Sequence, residues 1–137
     1  NHSPLRRVSH VHPRSERTLL DLNDIRNSLR SLMWRNVGIV REEDRLRETV
    51  EILDFWAHYT LDKTLNRPAG WQIQNQLTTA RLIAMAAHRR SESVGVHFRK
   101  DAPDTPPAVR YHLDIRREED GTVPQVREID EEGEDRR

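Results

Sequence analysis

The sequence predicts a mainly α protein: an antiparallel three-helix bundle followed by a loop and a short strand or hairpin. Three observations predict it. Apolar residues recur at three- and four-residue spacing through three long segments, about 18–37, 42–62 and 69–91. The connections between them are short, which makes antiparallel neighbours the natural arrangement. After Ser91 the helical period stops, and Arg110 to Arg116 alternates instead, with Tyr111, Leu113 and Ile115 on one face and Arg110, His112, Asp114 and Arg116 on the other.

Thr18 with Asp21 resembles a capping box that opens the first helix, Asp standing in for the usual Glu. Leu22, Ile25, Leu29, Leu32 and Met33 then form one apolar stripe. The helix runs into Met33-Trp34-Arg35-Asn36-Val37-Gly38-Ile39-Val40-Arg41, a corner in which apolar and cationic residues alternate. Gly38 is the expected C′ residue there, since glycine takes the left-handed conformation without steric cost. One reading makes the corner a tight turn whose apolar residues plug the core. The other lets Arg35 and Arg41 meet something outside the chain.

Glu42-Glu43-Asp44 is an acidic first turn for the second helix, favoured by the helix dipole. Its stripe is Leu46, Val50, Leu53, Ala57 and Leu61, widened by Ile52, Trp56 and Tyr59. Asp62 to Gly70 is a loop, with Asn66 as N-cap candidate and Pro68 early in the next helix. The third helix carries the stripe Ile73, Leu77, Ala80, Ala84 and Ala87, and Leu82 to Ala87 is apolar all round. A helix of a three-helix bundle should keep one side polar, so this run hints at cover from another domain. Residues 91–103 read as a loop dense in hydrogen-bonding groups, and Asp120-Gly121 can turn a hairpin into Val123–Ile129, with Pro124 confining that strand to an edge.

At 137 residues the chain is sized for one domain, but 34% hydrophobic residues against 34% charged leave part of it as tail or linker. We expect an extended connector over 1–17, a helical domain over 18–117 and an acidic tail over 118–137, with a weak hairpin and then disorder. The net charge of zero conceals a basic first segment and an acidic last one. Neutrality argues against a nucleic-acid binder, and the longest apolar run is too short to span a membrane. The absence of cysteine removes disulfides and thiolate chemistry and fits a cytoplasmic setting. No glycine-rich phosphate loop or nucleophile elbow occurs. His10 and His12, or His58 and Asp62, lack a further metal ligand nearby. Glu92, His97, Arg99 and Asp101 form an acid–base cluster that buttresses a loop, docks another domain or, least readily, catalyses; no nucleophile stands beside it.

Two stretches carry a family resemblance. The corner Met33 to Arg41, followed by an acidic helix start and Arg45-Leu46, is similar to the C-terminal helical domain of the L-aspartate oxidases. Gln74 to Ile83 leading into Arg90-Ser91-Glu92-Ser93-Val94-Gly95-Val96-His97-Phe98-Arg99-Lys100-Asp101-Ala102-Pro103 resembles the N-x-L-x-x-A-R-L-I segment and the E-S-R-G-x-H-x-R-x-D-x-P signature of the wider succinate dehydrogenase and fumarate reductase flavoprotein family. Asp54-Phe55-Trp56 fits as well. Val94 departs from the signature, which has arginine at that place.

The resemblance implies a parent enzyme that uses FAD to oxidise L-aspartate to iminoaspartate for quinolinate synthase in NAD biosynthesis, oxygen or fumarate reoxidising the flavin. It implies that FAD and substrate are held by upstream domains, so that this chain alone carries no catalytic, cofactor-binding or metal-ligating residue. Trp34, Arg35, Arg41, Glu92, His97, Arg99 and Asp101 are then the candidates for docking on those domains. A flavoprotein subunit of a succinate dehydrogenase or fumarate reductase is the alternative within the family, and a free-standing helical interaction module the alternative outside it.

Overall fold

Among the described residues three helices form the body: α1 (Leu22–Asn36), α2 (Glu43–Leu61) and α3 (Pro68–Arg89). β1 (Val40–Arg41), in the α1–α2 connection, pairs in parallel with β2 (Phe98–Arg99), which follows α3, as a short ribbon, and an antiparallel hairpin comes after, β3 (Tyr111–Arg116) with β4 (Gln125–Asp130). The structure is a computed structural model and describes residues 21–61, 65, 67–103, 111–116 and 125–130. The expectations for 1–17, for Asp62 and for the acidic end at 131–137 lie outside those residues.

Helix starts differ from expectation in an instructive way. α1 begins at Leu22, and Asp21 is its N-cap instead of the fourth residue of a box begun at Thr18, which lies outside the described residues. The Asp21 carboxylate accepts from the amides of Asn23 at 2.9 Å and Asp24 at 3.2 Å, which satisfies two of the first-turn donors directly. For α3 the cap position is Arg67, whose side chain makes no capping hydrogen bond; the Asn66 candidate lies outside the described residues. Proline at the first position leaves one fewer donor to satisfy, and the Trp71 indole donates to the Leu65 carbonyl at 2.7 Å, pinning the helix to its approach.

The core lies where α3 meets the other two helices. Ile73, Leu77, Ala80, Ala84 and Ala87 are all buried, as their spacing predicts, against Leu46 and Leu53 of α2 and Leu29 and Leu32 of α1. Arg81 pairs with Asp54, while His88 Nε2 lies 2.7 Å from Glu43 Oε1, so α3 runs antiparallel to α2. Thr49 and Thr60 are buried too, although their hydroxyls hid them from a hydrophobic pattern. Both stand on the Leu46–Leu53 face, and each hydroxyl returns its hydrogen bond to a carbonyl one turn back, Arg45 or Trp56. The apolar girth of Leu82 to Ala87 is mostly covered from within, because α3 packs against α1, α2 and both hairpin strands. Of that run only Ile83 is exposed.

Candidate functional site

The corner between α1 and α2 folds differently from the plug its composition predicts. Val37 is the C-cap of α1, its amide bonded to the Met33 carbonyl at 3.0 Å, and it is buried. Trp34, Ile39 and Val40 instead face outward at 75%, 74% and 51% exposure. Trp34 sits about 200° around the helix from Leu32, so the stripe that buries Leu32 turns it to solvent. Gly38 takes no left-handed conformation; among the described residues Gly95 alone has positive φ, 57°. What Gly38 supplies is room, since a Cβ there would collide with the Trp34 carbonyl oxygen.

Pairing of the ribbon sorts its side chains. Val40 lies opposite Phe98 and Arg41 opposite Arg99, so the two apolar residues share the outward face and the two arginines turn inward. Arg41 Nε donates to the Val37 carbonyl at 3.1 Å, capping the end of α1, and Nη1 meets His97 Nδ1 at 2.6 Å. A guanidinium only donates, so His97 Nδ1 accepts and the ring proton sits on Nε2, which donates to the Arg90 carbonyl at 3.1 Å. Burial first, and then the positive charges of Arg41, Arg99 and Arg90, hold the His97 pKa below its ordinary value, against the opposing pull of the Arg90 carbonyl. Burial likewise lowers that of Arg41.

Arg99 is the centre. It is 2% exposed and its fork grips Asp101 twice, Nε to Oδ1 at 2.9 Å and Nη2 to Oδ2 at 2.6 Å. Nη2 also reaches Glu43 Oε2 at 2.6 Å, and Nη1 the Arg90 carbonyl at 2.9 Å. The hydrogen bonds from Arg99, above all, pull the Asp101 pKa down to about 2, and Asp101 in turn holds the Arg99 pKa above its usual range. Asp101 Oδ2 accepts from the Glu43 amide at 3.2 Å, so the start of α2 is capped by a residue 58 positions away. Ser93 ties the loop to itself, its Oγ donating to Ala102 O at 2.7 Å and accepting from the Arg99 amide at 2.9 Å. A tight turn, Val94 to His97, projects from it with Gly95 at its first corner position.

Glu92 stands in a neighbouring cluster. Arg90 Nη1 donates to Glu92 Oε1 at 2.9 Å, Arg90 Nη2 reaches the Tyr111 carbonyl at 3.1 Å, and the guanidinium lies 4.4 Å over the Tyr111 ring. Burial raises the Glu92 pKa, but hydrogen bonds from Tyr111, its own amide and Ser91, with the Arg90 charge, outweigh it and leave the carboxyl below its ordinary value. These contacts tie the hairpin to the end of α3.

Of the seven sequence candidates, Arg41, His97, Arg99 and Asp101 meet in one clamp, Glu92 lies beside it, and Trp34 and Arg35 point away. Sequence reasoning missed Glu43, Arg90 and Tyr111. Glu43 was visible as a first-turn acid, a dipole role that masks its grip on Arg99. Chemically the clamp holds chain: the Arg99 donors and both His97 nitrogens are turned to carboxylates, carbonyls or Arg41. The clamp does not fit FAD, because its cations are already engaged, and among the described residues Gly38, Gly70 and Gly95 lie far apart in the chain and form no glycine-rich loop that would cradle a pyrophosphate.

Residues 26–129 match the model described as the fumarate reductase flavoprotein C-terminal domain. The chain therefore belongs to the C-terminal domains of the succinate dehydrogenase and fumarate reductase flavoprotein family, L-aspartate oxidases included. It is 34% identical over 89 residues to L-aspartate oxidase 1 of Ralstonia nicotianae, covering 59% of this chain and 16% of that protein. It is 28% identical over 102 residues to one polypeptide of the CoM/CoB fumarate reductase of Methanothermobacter marburgensis, covering 69% and 19%. An uncharacterised FAD-dependent oxidoreductase of Methanocaldococcus jannaschii is 28% identical over 101 residues, covering 71% and 19%. The chain spans less than a fifth of the length of these relatives. They are oxidoreductases by name, and flavoprotein chemistry is the setting of the family.

Proposed function

We propose that this chain is the C-terminal domain of an FAD-dependent L-aspartate oxidase, which converts L-aspartate to iminoaspartate in de novo NAD biosynthesis. The observation that carries the reading is the 34% identity to L-aspartate oxidases of Ralstonia nicotianae and Pseudomonas aeruginosa, against 28% for the fumarate reductase polypeptide. The Met33 to Arg41 corner supports the same member of the family. In this reading FAD supplies the hydride acceptor and is held by upstream domains. This chain packs on those domains and keeps their walls in register. The product passes to quinolinate synthase, and the setting is cytoplasmic; no helix among the described residues is long and apolar enough to cross a membrane.

A fumarate reductase flavoprotein is the second reading, favoured by the longer alignment to the Methanothermobacter protein. Purifying the full-length gene product and offering L-aspartate with oxygen or fumarate, and in parallel succinate, separates the two. Aspartate-dependent peroxide or succinate formation supports the oxidase. Succinate turnover without aspartate turnover overturns it.

A further inference from the structure

The ribbon presents two faces of opposite character at one end of the bundle. Its inner face is the Arg41 and Arg99 clamp. Its outer face carries Val40 and Phe98, with Ile39 and Trp34 gathered beside Val40 around one hollow, and Val94 and Val96, on the turn that leads into Phe98, are exposed as well. Val96, at the tip, is 94% exposed. Exposed apolar residues scattered singly need no explanation, but Trp34, Ile39 and Val40 round one hollow with Phe98 paired beside them make a patch, and such a patch on a polar protein marks a contact surface. Beside it, Trp34, Arg35, Asn36, Ile39, Val40 and Arg45 line an open hollow of about 470 Å³ that holds two guanidinium groups and no carboxylate. Among the described residues the Arg45 side chain has one ion-pair partner, the partly exposed Glu42 at 3.6 Å, and pairs of that kind contribute little. No described residue pairs with Arg35.

We infer that this outer face, and not the clamp behind it, is the surface on which the domain docks. The occupant is the flavin-bearing part of the parent polypeptide, contributing apolar side chains over Val96 and Phe98 and a carboxylate into the Arg35–Arg45 hollow. The inference rests on the reading proposed above. Two observations select this occupant. The relatives carry more than four-fifths of their length outside the matched region, and a cationic hollow rimmed with apolar residues is complementary to an acidic side chain set in an apolar surface. The clamp residues are consumed internally, so they act by holding the face rigid.

The test uses the full-length gene product with single substitutions I39C, V96C and, as control, F55C, each position read by peptide mass spectrometry after thiol labelling. Phe55 is 68% exposed and about 18 Å further along α2 than Glu43, away from the ribbon end. Docking slows labelling at 39 and 96 by about tenfold or more relative to 55, because interface cores exclude water. In an R35E background the same positions label faster, while R35K leaves them protected. Equal rates at 39, 96 and 55 overturn the docking face, and an R35E background without effect overturns the acidic contact. A gene product that retains no flavin refutes the parent reading instead, and the two failures are told apart by the flavin absorbance of the same sample.

Discussion

Replacing Arg99 by methionine removes the centre of the clamp while keeping a chain of similar length. Arg99 makes four hydrogen bonds: two to Asp101, one to Glu43 and one to the Arg90 carbonyl. All four have an ionised donor and three go to carboxylates; bonds to charged groups contribute about 1.5–3 kcal/mol each when taken alone. The sum overstates the loss, because the bonds share one guanidinium and the two carboxylates are partly exposed, 34% for Asp101 and 46% for Glu43, and rehydrate once released. Breaking a buried pair costs about 3–5 kcal/mol, and the exposed partners place this one at the lower end, about 3 kcal/mol. The cap of α2 goes with it, since Asp101 loses the group that aims it at the Glu43 amide. Urea titration of the chain followed by far-UV circular dichroism reads the change as a lower midpoint at constant slope. R99K keeps the charge but not the fork and should recover less than half of the loss. An R99M stability within about 0.5 kcal/mol of the parent chain, the scale of an ordinary surface substitution, refutes the clamp. Full recovery by R99K would show that charge alone, without the fork geometry, suffices.

Gly38→Ala should cost about 1–3 kcal/mol, because the new methyl meets backbone of α1 that cannot swing aside, and thermal melts would show it. Gly95→Ala should cost about 1–2 kcal/mol by a different route, since its Cβ meets nothing and only the positive φ resists. Leu53→Ala, at a fully buried position, should cost about 2–5 kcal/mol in the same urea assay, whereas Phe55→Ala next to it should stay near the surface-substitution scale. For pH, the fold favours neutral His97, so its contribution is complete above 6.5, the unfolded value, and is lost as pH falls through the lower folded value. Asp101 behaves alike further down, its contribution present above the unfolded 3.8 and lost as pH falls through about 2. The urea midpoint should therefore decline below pH 6.5, and H97Q should flatten the upper part of that decline.

The helices were legible because burial on one face imposes a 3.6-residue period that survives in the sequence: the α3 stripe is buried residue for residue. The ends of the helices were harder, since Thr18 and Asp21 are both good cap formers and only the backbone decides between them. The corner was misread for a more general reason. Trp34, Ile39 and Val40 have core composition; the helical period alone turns Trp34 outward, but the exposure of Ile39 and Val40 goes with pairing between residues 40 and 98, and local pattern carries no information about a contact that distant. The clamp shows the same limit. His97, Arg99 and Asp101 stood out as a cluster, yet their partner Glu43 lies 56 positions from Arg99 and looked like a dipole acid.

That double use of Glu43 has a physical logic. Antiparallel packing puts the positive start of α2 beside the negative end of α3. Glu43 and Asp101 sit at the first pole, and the Arg90 carbonyl, at the cap of α3, accepts from His97 Nε2 and Arg99 Nη1 at the second. Arg99 therefore bridges the two poles, bonding the anions of one and the orphan carbonyl of the other. Arg41 does the same service for the Val37 carbonyl of α1. Three helix ends are thus satisfied by one short ribbon, and the ribbon can do this only with its cations turned inward. Alternation along a strand then leaves Val40 and Phe98 to face out. The inner face that binds the helix ends therefore fixes which side chains face out, and the sequence makes them apolar, Val40 at 51% and Phe98 at 40% exposure.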